Sequence, residues 1–198
     1  MSRTKSITET QILNTAYDLV VDGGFKNFTA RNIARVLGCS TQPIYLEFSS
    51  MGRLKIAVME KIKQELVRKL SKRYTLDPVV DLGLAYINFA LGSSRLYHAV
   101  FIEDHFGVEE MRDFAMETAL QRFDDYAPAA KIPLAQRRNA LMGLWIVATG
   151  IANLQAAGYA DLSREQMTDI LQAVVQDFML NGRFTQNAKA LSDHYAIM

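Results

Sequence analysis

Apolar side chains recur along this chain every three or four residues, the spacing that places them on one face of an α-helix. No segment alternates apolar and polar residues for long enough to indicate a half-buried strand. The pattern therefore predicts an all-α protein.

Capping and turn residues divide the first fifty residues into three short helices. Gly23-Gly24 is expected to end the first helix and Gly38 the second, because glycine accepts the backbone conformation found just past a helix C-terminus. Side-chain oxygens suited to begin the three helices are those of Thr8 (with Gln11 three residues later), Thr29 and Ser40.

Six more helices are predicted beyond Ser50. The first has leucine, valine or isoleucine at every fourth position from Leu54 to Leu70 and is long enough to connect two subdomains. Proline, glycine and a Ser163/Gln166 capping box mark where the other helices begin and end. These helices are expected at about 77–91, 95–106, 109–127, 133–158 and 163–180. We expect a domain of residues 1–50 and a second of residues 51–198.

Charge is distributed unevenly along the 198 residues. The first 73 residues carry 13 Lys and Arg against six Asp and Glu, a net charge of +7, whereas the remaining 125 carry nine against fifteen, a net charge of −6. A basic N-terminal third is typical of a protein that meets a polyanion at one end. A simpler alternative is a set of basic, solvated helix faces.

Compartment and membrane association follow from composition. The lone cysteine, Cys39, excludes an internal disulfide, and the most apolar window, residues 140–152, is shorter than the ~20 residues of a membrane helix. The first residues do not look like a secretion signal. We therefore expect a cytoplasmic protein without a membrane segment.

The second and third helices, with a glycine turn between them, form a candidate helix-turn-helix. In that motif the third helix enters the major groove of DNA with its N-terminal side chains toward the bases. Gln42 is suited to a bidentate contact with adenine, and Thr41 to a base edge or a thymine methyl. Arg31, Tyr45 and the backbone amides near Thr29 are placed to hold phosphates.

The run FTARNIARVLGCSTQPIYLEFSSMGRLKIAVME resembles the DNA-binding signature of TetR-type transcriptional regulators. Residues 8–60 carry the resemblance, which implies an N-terminal three-helix DNA-binding domain followed by a helical ligand-binding and dimerisation domain. Met51 stands where the family often has a phosphate-binding lysine, so that contact is expected either to be lost or to move to Arg53 or Lys55. The expected DNA-binding residues are Thr29, Arg31, Ser40, Thr41, Gln42, Pro43, Tyr45, Arg53 and Lys55.

A palindromic operator requires two recognition helices about one turn of DNA apart, ~34 Å, and so implies a homodimer. The helix predicted at 133–158 has a heptad-like seam of small residues and a second apolar face, and the final helix is apolar around much of its circumference. The expected dimer residues are Ala140, Gly143, Val147, Gly150, Leu154, Ile170, Val174 and Phe178. The alternative is that both helices are core helices of one subunit.

The resemblance also implies a small-molecule effector bound among the middle helices. The expected lining mixes aromatic, methionine and polar groups, although each is also an ordinary core residue: Phe89, His98, Phe101, His105, Met116, Phe123, Leu141 and Trp145. His98 and His105 could share a helix face, but two histidines without a third ligand make a weak metal site. No metal or cofactor is expected.

The expected function is that of a bacterial, DNA-binding repressor released from its operator by a largely apolar effector. The sequence contains no nucleophile elbow, phosphate loop or HExxH motif, so an enzyme is not expected. An all-helical enzyme and a protein-interaction module without DNA binding remain the alternatives.

Overall fold

The computed structural model describes residues 7–126 and 131–181, and every regular element in these two ranges is helical. This confirms the all-α prediction. A single 3-10 turn, Phe25–Asn27, separates the first two α-helices. The α-helices are α1 (Glu9–Gly23), α2 (Ala30–Leu37), α3 (Gln42–Phe48), α4 (Met51–Leu70), α5 (Pro78–Gly92), α6 (Ser94–Phe101), α7 (Val108–Phe123), α8 (Leu134–Ala156) and α9 (Arg164–Asn181).

The predicted helix caps are confirmed at both ends of the second helix. The Thr29 hydroxyl accepts the N–H of Asn32 at 3.2 Å, which satisfies one of the unpaired amides of the first turn of α2. Gly38 has φ +67° and ψ +34°, and the N–H of Cys39 returns to the Ala34 carbonyl at 3.0 Å. This left-handed C-terminal motif fixes the turn that leads to α3.

Capping boxes begin α1 and α9 as predicted. Thr8 and Gln11 exchange side-chain and backbone hydrogen bonds, and so do Ser163 and Gln166. The N-cap of α3 is Thr41 rather than the predicted Ser40, and Thr41 makes no side-chain capping bond. The Ser40 hydroxyl instead accepts the N–H of Gln42, the first residue of α3, at 3.4 Å.

Two of the predicted helices are shorter than expected. α6 ends at Phe101 rather than Phe106, because the amides of Ile102 and Glu103 both bond to the His98 carbonyl and the Asp104 carboxylate caps α7 by accepting the N–H of Val108. α7 ends at Phe123, and Ala127 and Pro128, its predicted end, lie outside the described residues.

The described part of the chain divides into two compact packing units. The first contains the residues up to Leu66, together with Ser93–Arg112. In its core α1 packs against α2, α3 and α6. Its fully buried side chains include Ile12, Val20, Ile33, Ile44, Leu54 and Leu96. Burial of such branched apolar side chains is what stabilises three short helices that would be marginal alone.

The second packing unit contains Val67–Gly92 and the described residues from Asp113 onward. Helix α5 packs against both α8 and α9 and is buried around most of its circumference. Gly83 of α5 lets the helices approach closely, because a Cβ there would lie 3.0 Å from side-chain atoms of Leu144 and Leu171. The packing units do not test the predicted division into a domain of residues 1–50 and a domain of residues 51–198, which stays a prediction.

The carboxylate of Asp81, in the first turn of α5, is completely buried. Its Oδ1 accepts hydrogen bonds from the backbone N–H groups of Tyr74 and Thr75 and from the Thr75 hydroxyl, at 2.7–3.1 Å. These bonds hold the segment that follows α4 against the start of α5.

No helix in the described ranges is long and apolar enough to cross a membrane.

Candidate nucleic-acid interface

Helices α2 and α3 are joined by a short turn and both pack against α1, as in a helix-turn-helix. Ile33 of α2 and Ile44 of α3 are fully buried, and Ala34 and Phe48 are nearly so. Gly38 supplies the left-handed turn, a conformation that costs other residues about 1–2 kcal/mol. Packing and turn together fix the direction of α3, which in this motif is the recognition helix.

The N-terminal end of α3 presents polar side chains to solvent. Ser40, Thr41 and Gln42 are all exposed, as predicted for residues that read bases, and Tyr45, one turn later, is 47% exposed. Pro43 is half-buried at the second helical position, where a missing amide costs nothing. The structure therefore brings the predicted base-reading residues onto one exposed surface.

Leu46 is part of the same surface and was not among the predicted DNA-binding residues. Its side chain is 74% exposed and lies four residues after Gln42, so the two share a face of α3. An exposed leucine at this place suits contact with a thymine methyl group. The signal available in the sequence was the i, i+4 spacing from Gln42, which a search for polar base contacts overlooks.

The candidate phosphate-binding residues fall into two groups. Arg31 and Arg53 are exposed and form no ion pair within the described part of the chain. Lys55 is half-buried, and its ammonium lies 5.6 Å from the ring centroid of Phe25 and 5.9 Å from that of Phe106. These cation–π contacts engage Lys55 in the first packing unit, which leaves Arg53 as the better replacement for the lysine absent at Met51.

The helices that follow α4 carry the clearest likeness to known proteins. Residues 79–178 match the family model of the tetracyclin repressor-like C-terminal domain, which is half of the chain. The chain belongs to the TetR-like family. Its sequence signature lies in residues 8–60, outside the matched range, so two separate parts of this TetR-like chain support the assignment.

Solved structures of transcriptional regulators share the fold. One from Streptomyces coelicolor has a TM-score of 0.63 at 14% identity, covering 93% of this chain and 86% of its own. One from Rhodococcus sp. RHA1 has a TM-score of 0.57 at 18% identity, with coverages of 88% and 97%. FadR from Bacillus subtilis, solved in complex with stearoyl-CoA, has a TM-score of 0.55 at 12% identity, with coverages of 87% and 98%. Among curated proteins there is no significant match.

The residues expected to line an effector pocket fall in both packing units of this TetR-like chain. The second unit contains Phe89, Phe123 and Leu141, which are buried, and Met116 and Trp145, which are half-buried. The first unit contains His98, Phe101 and His105.

The two histidines do not share a helix face, because α6 ends at Phe101 and His105 lies in the following segment. They nevertheless line one cleft in the first unit. No group of three potential metal ligands was found among the described residues.

The predicted dimer seam on α8 is not a single surface. A Cβ on Gly143 would lie 2.3 Å from the Phe178 ring of the same chain, and Ala140 is completely buried, so both residues belong to the packing of one subunit. Farther along α8, Gly150 is exposed with no atom within 4 Å of its Cβ position, and Leu154 is 49% exposed.

On the other seam positions, Ile170 is 38% exposed, and Val147, Val174 and Phe178 are half-buried. Ile146, which the seam omitted, is 56% exposed.

Proposed function

We propose that this protein is a transcriptional regulator that binds a palindromic operator as a homodimer, represses transcription, and is released by a small, largely apolar effector. The observation that carries the proposal is the exposed row Ser40, Thr41 and Gln42 at the N-terminal end of α3, on a helix-turn-helix whose core is fully packed. An exposed polar row at this position is what base reading in the major groove requires.

The charge of the N-terminal third supports the same reading. Arg31, at the start of α2, and Arg53, at the start of α4, flank α3 in sequence and are free of ion pairs in the described ranges. Contacts to phosphate position a recognition helix without reading sequence. They also supply most of the affinity for nonspecific DNA.

A homodimer is supported by the exposed apolar residues of α8 and α9. Ile146, Gly150 and Leu154 follow one another at four-residue spacing along α8, and Ile170 is exposed on α9. Two helices from each subunit would bury this strip in a four-helix interface. We propose that the dimer surface consists of Gly150, Leu154 and Ile170 of the predicted seam, together with Ile146.

An apolar effector is supported by the composition of the second packing unit. Its buried and half-buried side chains include aromatic, methionine and leucine residues, and the hydroxyls of Tyr86 and Thr149 lie 3.1 Å apart. The candidate lining in this unit is Phe89, Met116, Phe123, Leu141 and Trp145. An effector would release DNA only if it bound the non-operator conformation more tightly than the operator-bound one.

The first test measures binding of the purified chain to duplex DNA by fluorescence anisotropy as the salt concentration rises. A DNA-binding regulator must lose affinity steeply and log-linearly with salt, because phosphate contacts release bound cations. An all-helical enzyme or a protein-only interaction module need show no such loss. Absence of duplex binding in dilute buffer would refute the proposal.

Matched variants locate the binding surface. Arg31→Gln is expected to weaken binding to all duplexes and to lower the salt slope by about one. Lys131→Gln removes an exposed lysine from the second packing unit and is expected to change neither quantity. Equal effects of the two substitutions would show that net charge, rather than the helix-turn-helix, attracts the DNA.

A further inference from the structure

A cleft of about 400 Å³ lies entirely within the first packing unit. One wall is the end of α1 and the turn after it, residues 23–26, and the other is the start of α6 with the segment that follows α6. Its volume is within the range of small-molecule sites, about 300–1,000 Å³. None of the proposed functions above uses it.

The charged side chains that line this cleft are mostly cationic. Lys26 and Arg95 carry fixed positive charges, and His98 and His105 add two imidazoles. Glu103 is the one acidic residue in the lining, and its carboxylate lies 3.1 Å from His105 Nε2. The charge in the cleft therefore favours a negatively charged occupant.

Lys26 and Arg95 have no carboxylate partner within the described residues. They line the cleft from separate elements, Lys26 from the turn after α1 and Arg95 from the first turn of α6. Two cations that are held on separate elements and lack an internal counterion can both contact one anion. The hydrogen bonds they would donate to it are charge-assisted and stronger than neutral ones.

Aromatic rings pack against one another beside the cleft. The His105 ring stacks on Phe25 with centroids 4.4 Å apart, and Phe106 meets the Phe25 ring edge-on at 5.1 Å. Phe25 also stacks on the buried Phe28 at 5.3 Å. Such packing places the imidazole of His105 in a fixed position, so that little order has to be created on binding.

We propose that this cleft binds a compact small molecule carrying two or more negative charges, either a phosphate ester or a di- or tricarboxylate. The site differs from the proposed effector region in both location and chemistry, since it belongs to the first packing unit and is lined by Lys26 and Arg95. It stands independently of the proposed DNA binding, because it is tested on the chain without DNA.

The test is a titration of the full chain, followed by ¹H–¹⁵N correlation NMR at constant ionic strength, with inorganic phosphate in one series and citrate in another. Saturable shifts are expected for the amides of Gly24, Arg95 and His98. The two series distinguish a phosphate site from a carboxylate site. Titration with chloride supplies the measure of general screening.

Arg95→Gln and Lys26→Gln are each expected to weaken binding about tenfold, the usual effect of losing one charge-assisted hydrogen bond. Arg95→Lys should restore part of the affinity. Lys72→Gln removes an exposed lysine from the second packing unit and should leave binding unchanged. Both cleft variants replace solvent-accessible side chains, and an unchanged unfolding temperature would show that they fold.

Three results would overturn the proposal. The first is the absence of saturation by either anion up to about 50 mM, which would mean a dissociation constant above that concentration. The second is equal loss of affinity in the Lys72→Gln control. The third is displacement of the anion by a short duplex with Arg95 required for DNA binding, which would make the cleft part of the nucleic-acid surface.

Discussion

Gln42 occupies the exposed first position of α3, with its backbone N–H held by the Ser40 hydroxyl. We expect Gln42→Ala to relax the base preference at one operator position, because a bidentate glutamine–adenine pair is worth about 1–3 kcal/mol of discrimination. Selection of bound duplexes from a random library, compared between the two proteins, checks this. Arg31→Ala is the control and should weaken all sequences alike.

An unchanged preferred sequence in Gln42→Ala would contradict the assignment of Gln42 to base reading. Leu46 would then be the next residue to substitute, since it is the more exposed of the apolar side chains on α3.

Gly38 is a residue whose backbone conformation decides the geometry of its neighbours. We expect Gly38→Ala to lower the free energy of unfolding by about 1–2 kcal/mol, because φ +67° is strained for alanine even though no atom lies within 4 Å of the new Cβ. Chemical denaturation measures the change. Gly92→Ala, equally open but without positive φ, is the matched control and should be neutral or stabilising.

Equal effects of the two alanines would show that the left-handed turn is not what constrains this site. The comparison separates backbone strain from steric crowding, since neither position is crowded.

At the scale of elements, α8 contains two glycines with different roles. Gly150→Leu is expected to leave the folded subunit intact, because the position is exposed and open, but to separate the dimer and abolish operator binding. Analytical ultracentrifugation measures the mass. Ala135→Leu, also exposed on α8 but outside the strip, should remain dimeric. A dimeric Gly150→Leu protein that binds its operator would refute the interface.

Gly143→Ala acts within one subunit. Its Cβ would lie 2.3 Å from the Phe178 ring, so the ring must move and the free energy of unfolding should fall by about 1–3 kcal/mol. Thermal unfolding of Gly143→Ala and of the double variant with Phe178→Leu measures the effect. Leucine at position 178 is smaller than phenylalanine, so the double variant should recover part of the lost stability. No recovery would contradict the proposed clash between the new Cβ and the Phe178 ring.

Helix α4 is joined to the start of α7 by an ion pair. The Glu110 carboxylate, 2.7 Å from the Lys63 ammonium, raises the pKa of Lys63, with Glu60 at 3.1 Å adding to the effect against burial. Since the folded-state pKa lies above the unfolded one, the contribution is full below about pH 10.5 and is lost as pH rises through the folded-state pKa. Glu110 is more than half exposed, so the effect should be at most about 1 kcal/mol.

Glu110→Gln should therefore reduce stability at pH 8, and by less at a second pH above 10.5, because Lys63 loses its charge as the pH rises through its raised folded-state pKa. Denaturant unfolding at the two pH values measures the difference. A constant difference between the proteins across this range would mean that packing, rather than charge, accounts for the effect.

The proposed function requires the whole molecule to act as a pair of subunits. If only the dimer is fully stable, the unfolding temperature should rise with protein concentration by mass action. Calorimetry over a hundredfold range of concentration checks this, with Gly150→Leu as the concentration-independent control. A constant unfolding temperature in the native chain, with a monomeric mass, would remove the basis for a palindromic operator.

Much of the helical order was predictable from local signals. Capping residues, glycine turns and apolar spacing act within one or two turns of the chain, so Thr8, Thr29 and Gly38 revealed their roles in the sequence alone. The end of α6 was missed because Asp104 caps the next helix there, a competing local signal that overrides the apolar pattern continuing to Phe106.

The sequence by itself determined the all-α class, the helix-turn-helix and the exposed row that begins α3, because these depend on spacing and capping over a few residues. Only the tertiary structure decided which apolar side chains are covered and by what. It placed Gly143 against Phe178, left Gly150 in solvent, and brought Lys26 and Arg95 to one cleft from elements about seventy residues apart. Helical periodicity shows that a face is apolar, but the neighbour that covers it is a matter of long-range packing.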